Sequence, residues 1–460
     1  MNGLLLTLPV ALPFTAGLLS YFIRFPSKRA QDLWYGGIIC LTTALAWLAI
    51  LLVGEERVTL LHFTDTLTIA LRCDGAARLF AALSATLWPF TALYACDYMR
   101  HEKHLAMFWS FFTASFGVTF GIAFSANMLT MYLFYELLTL ATLPLVMQPM
   151  TAAAKAAGIK YLLYSMSGAA LAFIALVFII YYGTTTDFVL GGVLDAEKIS
   201  GMEELLKFVF LLAFVGFGTK AAVFPMYAWL PAASVAPTPV TALLHAVAVV
   251  NAGAYAVLRV IYYSFGASFL YGTWAQTVAL LLSCFTILFG STMAVREQHF
   301  KRRLAYSTIS NLSYMLMGAA LMTPDGMTGS LSHLVIHGVI KITLFYCAGA
   351  ILIKTGKEYV QDLRGYSRIM PATCGIFLLG SIAAGRLRQQ VESADRRVRH
   401  GAANGNRRDC LPHHLRHSDG NLPLHRRAAD VLPPAQRGSG AIGGAEARYQ
   451  LDDARANGDF

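Results

Sequence analysis

Residues 216–246 read GFGTKAAVFPMYAWLPAASVAPTPVTALLHA, an apolar stretch that carries a lysine, Lys220, between a pair of glycines and a proline. Gly216 and Gly218 precede the lysine, and Pro225 removes a backbone donor five residues after it. A helix entering this stretch is therefore expected to kink or break at Lys220. The stretch ends in TALLHA, and His245 lies in the apolar run TALLHAVAVVNAGAYAVLRV that continues from it.

The surroundings of these charges read as a bilayer. Of the 460 residues, 56% are hydrophobic and 13% charged, and the mean hydropathy is +0.54. That is too apolar and too charge-poor for an ordinary soluble domain. A bilayer core needs about 20 apolar residues per helix. Eleven such runs end near positions 22, 53, 95, 124, 148, 182, 224, 263, 294, 322 and 353, and a twelfth begins at Pro371 and stops early. The expected fold is an all-α, polytopic transmembrane helical bundle over residues 1–380. The first run, LLLTLPVALPFTAGLLSYFI, has no basic residue before it and no small-residue cleavage site, so it reads as an uncleaved helix.

Basic residues fix an expected orientation, because cytoplasmic loops hold the Lys and Arg excess. Arg24, Lys28 and Arg29 follow the first run, Arg100 and Lys103 the third, Lys155 and Lys160 the fifth. Arg296, Lys301, Arg302 and Arg303 follow the ninth, and Lys354, Lys357, Arg364 and Arg368 the eleventh. Every second loop is thus inside, and the N-terminus faces outward. The loop between the sixth and seventh runs, with Asp187, Asp195, Glu197, Glu203 and Glu204, is net acidic.

The formal charge of +10 does not argue for nucleic acid, since residues 381–460 hold 13 of the 36 Lys and Arg and 9 of the 26 acids, leaving +6 for the rest. The seven Cys are scattered without any CxxC, so neither a zinc site nor an iron–sulfur cluster is legible. Electron transfer is not expected of this chain.

An ionisable side chain at mid-membrane costs at least ~2.5 kcal/mol on insertion scales and is a functional candidate by default. Glu136 sits inside MLTMYLFYELLTLATLPLVM with no basic residue in that run, so its partner must come from another helix. Lys220 is the second candidate, and broken helices at mid-membrane recur at ion sites. His245 is a third. His333, His337 and Lys341 fall in SHLVIHGVIKITLFYCAGAIL, at spacings of four and eight that place them within roughly 80° on a helix. Buried lysines and histidines beside a carboxylate can pass protons at physiological pH. The plainer reading, a hydrogen bond that glues two helices, weighs evenly for His245 or His333 alone and much less for Glu136 and Lys220. Arg72, Asp74, Arg78, Lys207 and Arg259 lie near helix ends and are expected to snorkel or close loops. The 29 Phe and 21 Tyr read as lipid-facing or packing residues.

On these residues the chain resembles the antiporter-like family shared by the proton-pumping subunits of respiratory complex I, Mrp-type cation/proton antiporters and membrane-bound hydrogenases. The resemblance covers about residues 60–380 and rests on CDGAARLF, NMLTMYLFYELLTL, GFGTKAAVFPMYAWLPAASVAPTPVTALLHA, KRRLAYSTISNLSYMLMG and HLVIHGVIKITLFYCAG. It implies two inverted five-helix repeats with broken helices, the first holding Glu136 and Lys220 as an ion pair, the second reached through His245 and Lys341. It implies that protons, with or without Na+, move along a hydrated axis at the bilayer midplane. The chain would then be a non-redox subunit driven by partner membrane subunits in a bacterial or archaeal cytoplasmic membrane. Many members of the family carry a lysine where this chain has Asn251, which puts the bridging role on His245. The motifs fit the quinone-linked, Mrp and hydrogenase branches about equally. Two other readings stay open: a stand-alone secondary transporter of a small solute, and an inactive truncated product.

From residue 386 the composition breaks: 13 Arg, no Lys, five His and no apolar run long enough to span. The family would continue with a twelfth helix and its charge. A one-base shift across RQQVESADR, residues 388–396, permits VSKWNLLT, a helix start with a lysine, and the same shift over residues 411–430 permits an apolar run of spanning length. Residues 381–460 therefore read as a non-spanning, disordered tail produced by a frameshift, the competing reading being a natural Arg-rich tail.

Overall fold

The computed structural model describes residues 2–64 and 67–384. In chain order the first elements are helices α1 (Asn2–Ser20) and α2 (Lys28–Leu52), a hairpin of strands β1 (Val58–His62) and β2 (Thr68–Leu71), then α3 (Gly75–Tyr98), α4 (Leu105–Ala123), α5 (Met128–Val146) and α6 (Ala152–Tyr182). After them come α7 (Glu203–Gly218), a one-turn α8 (Trp229–Ala232), α9 (Thr238–Ala246), α10 (Val249–Arg259), a one-turn α11 (Ala267–Leu270), α12 (Trp274–Arg296), α13 (Phe300–Ala320) and α14 (Pro324–Thr355). A short apolar helix, Pro371–Ala384, closes the described part.

Capping side chains start six of these helices. Ser27, Asp74, Asn127, Thr151, Thr273 and Thr323 stand at the N-caps of α2, α3, α5, α6, α12 and α14, each accepting a hydrogen bond from an otherwise orphaned first-turn amide. Among the described residues, nine helical segments are long and apolar enough to cross a membrane, the α9–α10 pair counted as one segment, Thr238–Phe265. The chain is an integral membrane protein, and its bundle is helical as the hydropathy predicts. The remaining two of the eleven expected runs are α7 and α13. α7 has only 16 helical residues because it stops at Gly218. α13 begins with Lys301, Arg302 and Arg303 and buries Thr308, Ser310, Asn311 and Ser313 against other helices, so it needs no apolar face all round.

The layering places polarity inside. The Thr238–Phe265 segment is wholly buried and α4 nearly so, whereas α1, α2, α6 and α12 turn Leu19, Leu41, Leu48, Leu163, Phe173, Leu281 and Leu288 outward. In a bundle that spans a bilayer, those side chains face lipid. The β1–β2 hairpin, which hydropathy does not reveal, is antiparallel, with an irregularity between Thr59 and Leu61. It covers one end of the bundle, where Asn127 donates to the Thr68 carbonyl at 2.8 Å and Arg57 pairs with Asp187 at 2.9 Å. The Arg-rich segment from 381, expected to be a frameshifted tail, lies outside the described residues except for its first four, which finish the last helix.

Candidate functional site

The helix carrying Lys220 does break. α7 ends at Gly218, the chain runs through turns, and Ala222 takes a left-handed conformation (φ 57°). Each backbone carbonyl freed in a dry interior needs a donor. Tyr135 Oη donates to the Phe217 carbonyl at 2.9 Å and to that of Gly216 at 3.3 Å, and the Trp229 indole donates to Thr219 at 2.9 Å. Gly253 on α10 makes room for this irregular backbone. A Cβ there would stand 2.5 Å from the Ala221 nitrogen and 2.8 Å from the Lys220 carbonyl carbon.

Lys220 is fully buried. Its ammonium donates to the backbone carbonyl of Tyr135 and lies 3.5 Å from the centroid of the Tyr135 ring. Glu136 is the next residue. Its Oε1 is buried with no hydrogen-bond partner, and Lys220 is the charge that acts on it. The two therefore neighbour one another as expected, but the direct ion pair is not made: among the described residues Lys220 is held one peptide unit short of the carboxylate. The reason is competition, since the carbonyl and ring face of Tyr135 both lie within the lysine's reach.

A second break follows. α9 stops at Ala246, and Val247 and Ala248 leave helical geometry before α10 resumes at Val249. Asn251 Nδ2 donates to the Ala246 carbonyl at 2.7 Å, so the asparagine satisfies the break. Gly338 of α14 packs against the same carbonyl; a Cβ there would stand 2.9 Å from it. The His245 ring stacks on Phe345 with centroids 4.7 Å apart, and both of its nitrogens are buried without a partner.

The stripe on α14 forms as its spacing predicts. His333, His337 and Lys341 are all buried, the histidine rings lie 6.1 Å apart at 20°, and Lys341 donates to Ser307 Oγ of α13. The structure thus makes two clusters: Glu136 with Lys220, and His245 with His333, His337 and Lys341. The start of α10 joins them. Gly253 underlies Lys220 and Asn251 holds the break beside His245, and two residues span only about 3 Å of helix.

Two features escaped the sequence reading. Lys301, counted there as a loop cation, is buried and donates to the Ala236 carbonyl at 2.7 Å, at the foot of α9. Its presence in KRRLAYST gave no hint, because the neighbouring Arg302 and Arg303 look the same in sequence. The second feature corrects an expectation. Arg259 does not snorkel: its two terminal nitrogens each reach Asp74 at 2.6 Å, and it also donates to Tyr255 Oη and faces the Tyr263 ring at 4.5 Å. A buried charge persists only when so fully engaged. Burial pushes the Asp74 carboxyl up, but the Arg259 hydrogen bonds and charge, the Ala77 amide and Arg72 outweigh it and hold it below its ordinary value. Arg78 does close a loop, donating to the Val53 carbonyl at 3.1 Å, and Lys207 pairs with Glu204 at 2.5 Å.

Residues 125–386, more than half of the chain, match the family described as NADH:quinone oxidoreductase/Mrp antiporter, TM. The chain belongs to that family. It is 31% identical over 386 residues to a probable K(+)/H(+) antiporter A/B subunit of Rhizobium meliloti (strain 1021), covering 82% of this chain and 38% of the relative. It is 30% identical over 324 residues to the chloroplastic NAD(P)H-quinone oxidoreductase subunit 5 of Ipomoea purpurea, covering 67% of this chain and 44% of the relative. The chain thus spans less than half the length of either. Its fold is that of a chain in the membrane-bound sulfane sulfur reductase, an archaeal respiratory membrane complex, with a TM-score of 0.71, 20% identity and coverage of 85% and 81% of the two chains.

Proposed function

We propose that this chain is the proton-translocating part of a multi-subunit cation/proton antiporter. The two broken helices meeting along α10, with a half-buried carboxylate, two buried lysines and three buried histidines around them, carry the reading. The antiporter relative is matched over 82% of this chain against 67% for the quinone-linked one, which favours the antiporter branch. In our reading the ammonium of Lys220 moves between the Tyr135 carbonyl and the Glu136 carboxylate. Its hold on a proton differs between those positions, because only the second offers a negative charge. The proton then passes to His245 and along the α14 stripe to Lys341. Two inverted repeats would carry the two clusters, partner membrane subunits would couple the movement to a cation, and the N-terminus would face outward from a cytoplasmic membrane. A stand-alone transporter would not need the partners.

The test is the complete complex reconstituted in vesicles carrying a pH-sensitive dye. Glu136→Gln is expected to abolish cation-driven proton movement while the complex still assembles on a native gel. Unchanged proton flux in that variant would refute the axis, and transport by this chain alone would refute the subunit reading.

A further inference from the structure

At one end of the bundle the first turn of α2, the end of α3 and the start of α4 enclose a cleft of about 360 Å³ that the proton axis does not use. Lys28, Arg29 and Arg100 line it, with Asp32 one turn along α2 from the first two and Trp109 and Cys96 in its wall. Lys28 spans the cleft, donating to the Arg100 carbonyl at 2.9 Å. Arg100 lies 3.4 Å from Asp97, while Arg29 is exposed with no ion pair among the described residues. Three cations against Asp32 and the Asp97 that pairs with Arg100 leave a net excess of one positive charge at the cleft. Two of them occupy the first turn of a 25-residue helix that has no acidic residue there. That end of a helix is already positive, and cations placed there are disfavoured until an anion joins them.

Side chains that favour a headgroup region flank the cleft. Tyr21, Phe22 and Trp34, all exposed, surround the α1–α2 corner as interfacial aromatics do. Deeper along the same helices the surface is apolar and open. Leu93 and Phe90 of α3 are exposed, and a side chain at Gly36 or Gly37 of α2 would meet nothing within 4 Å.

We infer that this cleft binds an anionic glycerophospholipid with a hydroxylated headgroup. Its phosphate sits among Lys28, Arg29 and Arg100, its headgroup hydroxyls donate to Asp32, and its acyl chains run past Gly36, Gly37 and Leu93. Basic clefts between membrane helices recognise headgroups in this way. The hydroxylated, net-anionic headgroup is favoured over a zwitterionic one by the excess of cations.

Native mass spectrometry of the delipidated complex, titrated with phosphatidylglycerol, phosphatidylethanolamine, phosphatidylcholine or glycerol phosphate, tests it. Wild type is expected to take phosphatidylglycerol at a concentration about tenfold lower than either zwitterionic lipid, and the preference should vanish in Lys28→Gln/Arg29→Gln. The single variant Arg29→Gln, which removes an exposed side chain, should weaken it about threefold without altering the melting temperature. An undiminished preference in the double variant, equal uptake of phosphatidylethanolamine or phosphatidylcholine, or equally strong binding of glycerol phosphate each overturns the inference, the last by showing a site for a free anion.

Discussion

Lys220 rests its ammonium on the carbonyl of Tyr135, the residue immediately before Glu136, and so stands one peptide short of the carboxylate it is charged to meet. The same tyrosine uses its hydroxyl to hold the broken end of α7 through the Phe217 carbonyl at 2.9 Å. Tyr135 therefore fixes both the break and the resting place of the lysine. A relay needs two positions of comparable energy for its moving charge. Here one is a neutral carbonyl with an aromatic face and the other a carboxylate on the next residue.

Gly253→Ala should disable the site from behind. The added methyl would stand 2.5 Å from the Ala221 nitrogen and 2.9 Å from the Lys220 Cβ, so the lysine must shift. Overpacking of this kind costs about 1–3 kcal/mol. Proton flux in reconstituted vesicles is expected to fall at least tenfold while assembly is retained. Gly54→Ala, where nothing lies within 4 Å of a new Cβ, serves as the control and should leave flux unchanged.

The Asp74–Arg259 pair should dominate stability at its end of the bundle. Arg259→Ala leaves the buried carboxylate with only Arg72, 3.6 Å away, as a charge partner, and removing one partner of a buried pair costs up to about 3–5 kcal/mol. A drop in the detergent melting temperature measures it. The pH dependence follows from the direction of the shift. The folded carboxyl is held below its ordinary value of 3.8, so the contribution is complete above that pH and is lost as pH falls through the lower folded value. Wild type should keep the pair's contribution down to about pH 4 and lose it below, whereas Asp74→Asn, already without the charge, should lack that acid-dependent step.

How much of this was legible in the sequence depends on whether a residue's partner is local. The helices, the stripe His333, His337 and Lys341, and the break after Gly218 follow from spacing, glycines and proline, which are local facts. The resting place of Lys220 was not legible, because a backbone carbonyl on another helix leaves no mark in the sequence. Arg259 and Arg78 both look like helix-end cations, yet one is enclosed by Asp74, Tyr255 and Tyr263 and the other only closes a loop. The β1–β2 hairpin was missed because its alternation is short and lies between two long apolar runs.

Lys301 is the clearest of these missed residues and should behave as a positioning residue for α9. Its hydrogen bond to the Ala236 carbonyl anchors the chain just before Pro237 and Thr238, where the helix that ends in His245 begins. Lys301→Met leaves that carbonyl without its donor, at a cost of about 1–3 kcal/mol. Flux should fall severalfold and the melting temperature should drop, and Lys301→Arg, which restores a donor, should recover most of both. Full flux in Lys301→Met would show that α9 needs no such anchor.

The reading frame is itself open to test. We propose that the segment from residue 386 is out of frame: its 13 Arg and absent Lys begin where the family match stops, at residue 386. A compositional break of that sharpness at the end of a homologous region is what a single inserted or deleted base produces, because codons are reread without regard to hydropathy. Resequencing the genomic DNA across codons 380–430 from an independent clone is expected to restore an apolar stretch with a lysine near its start. If the frame stands unaltered, the Arg-rich segment belongs to the protein, and the cleft of about 520 Å³ that Lys341, Ser307, Asn311 and Arg303 line is the route to test for a proton leaving Lys341.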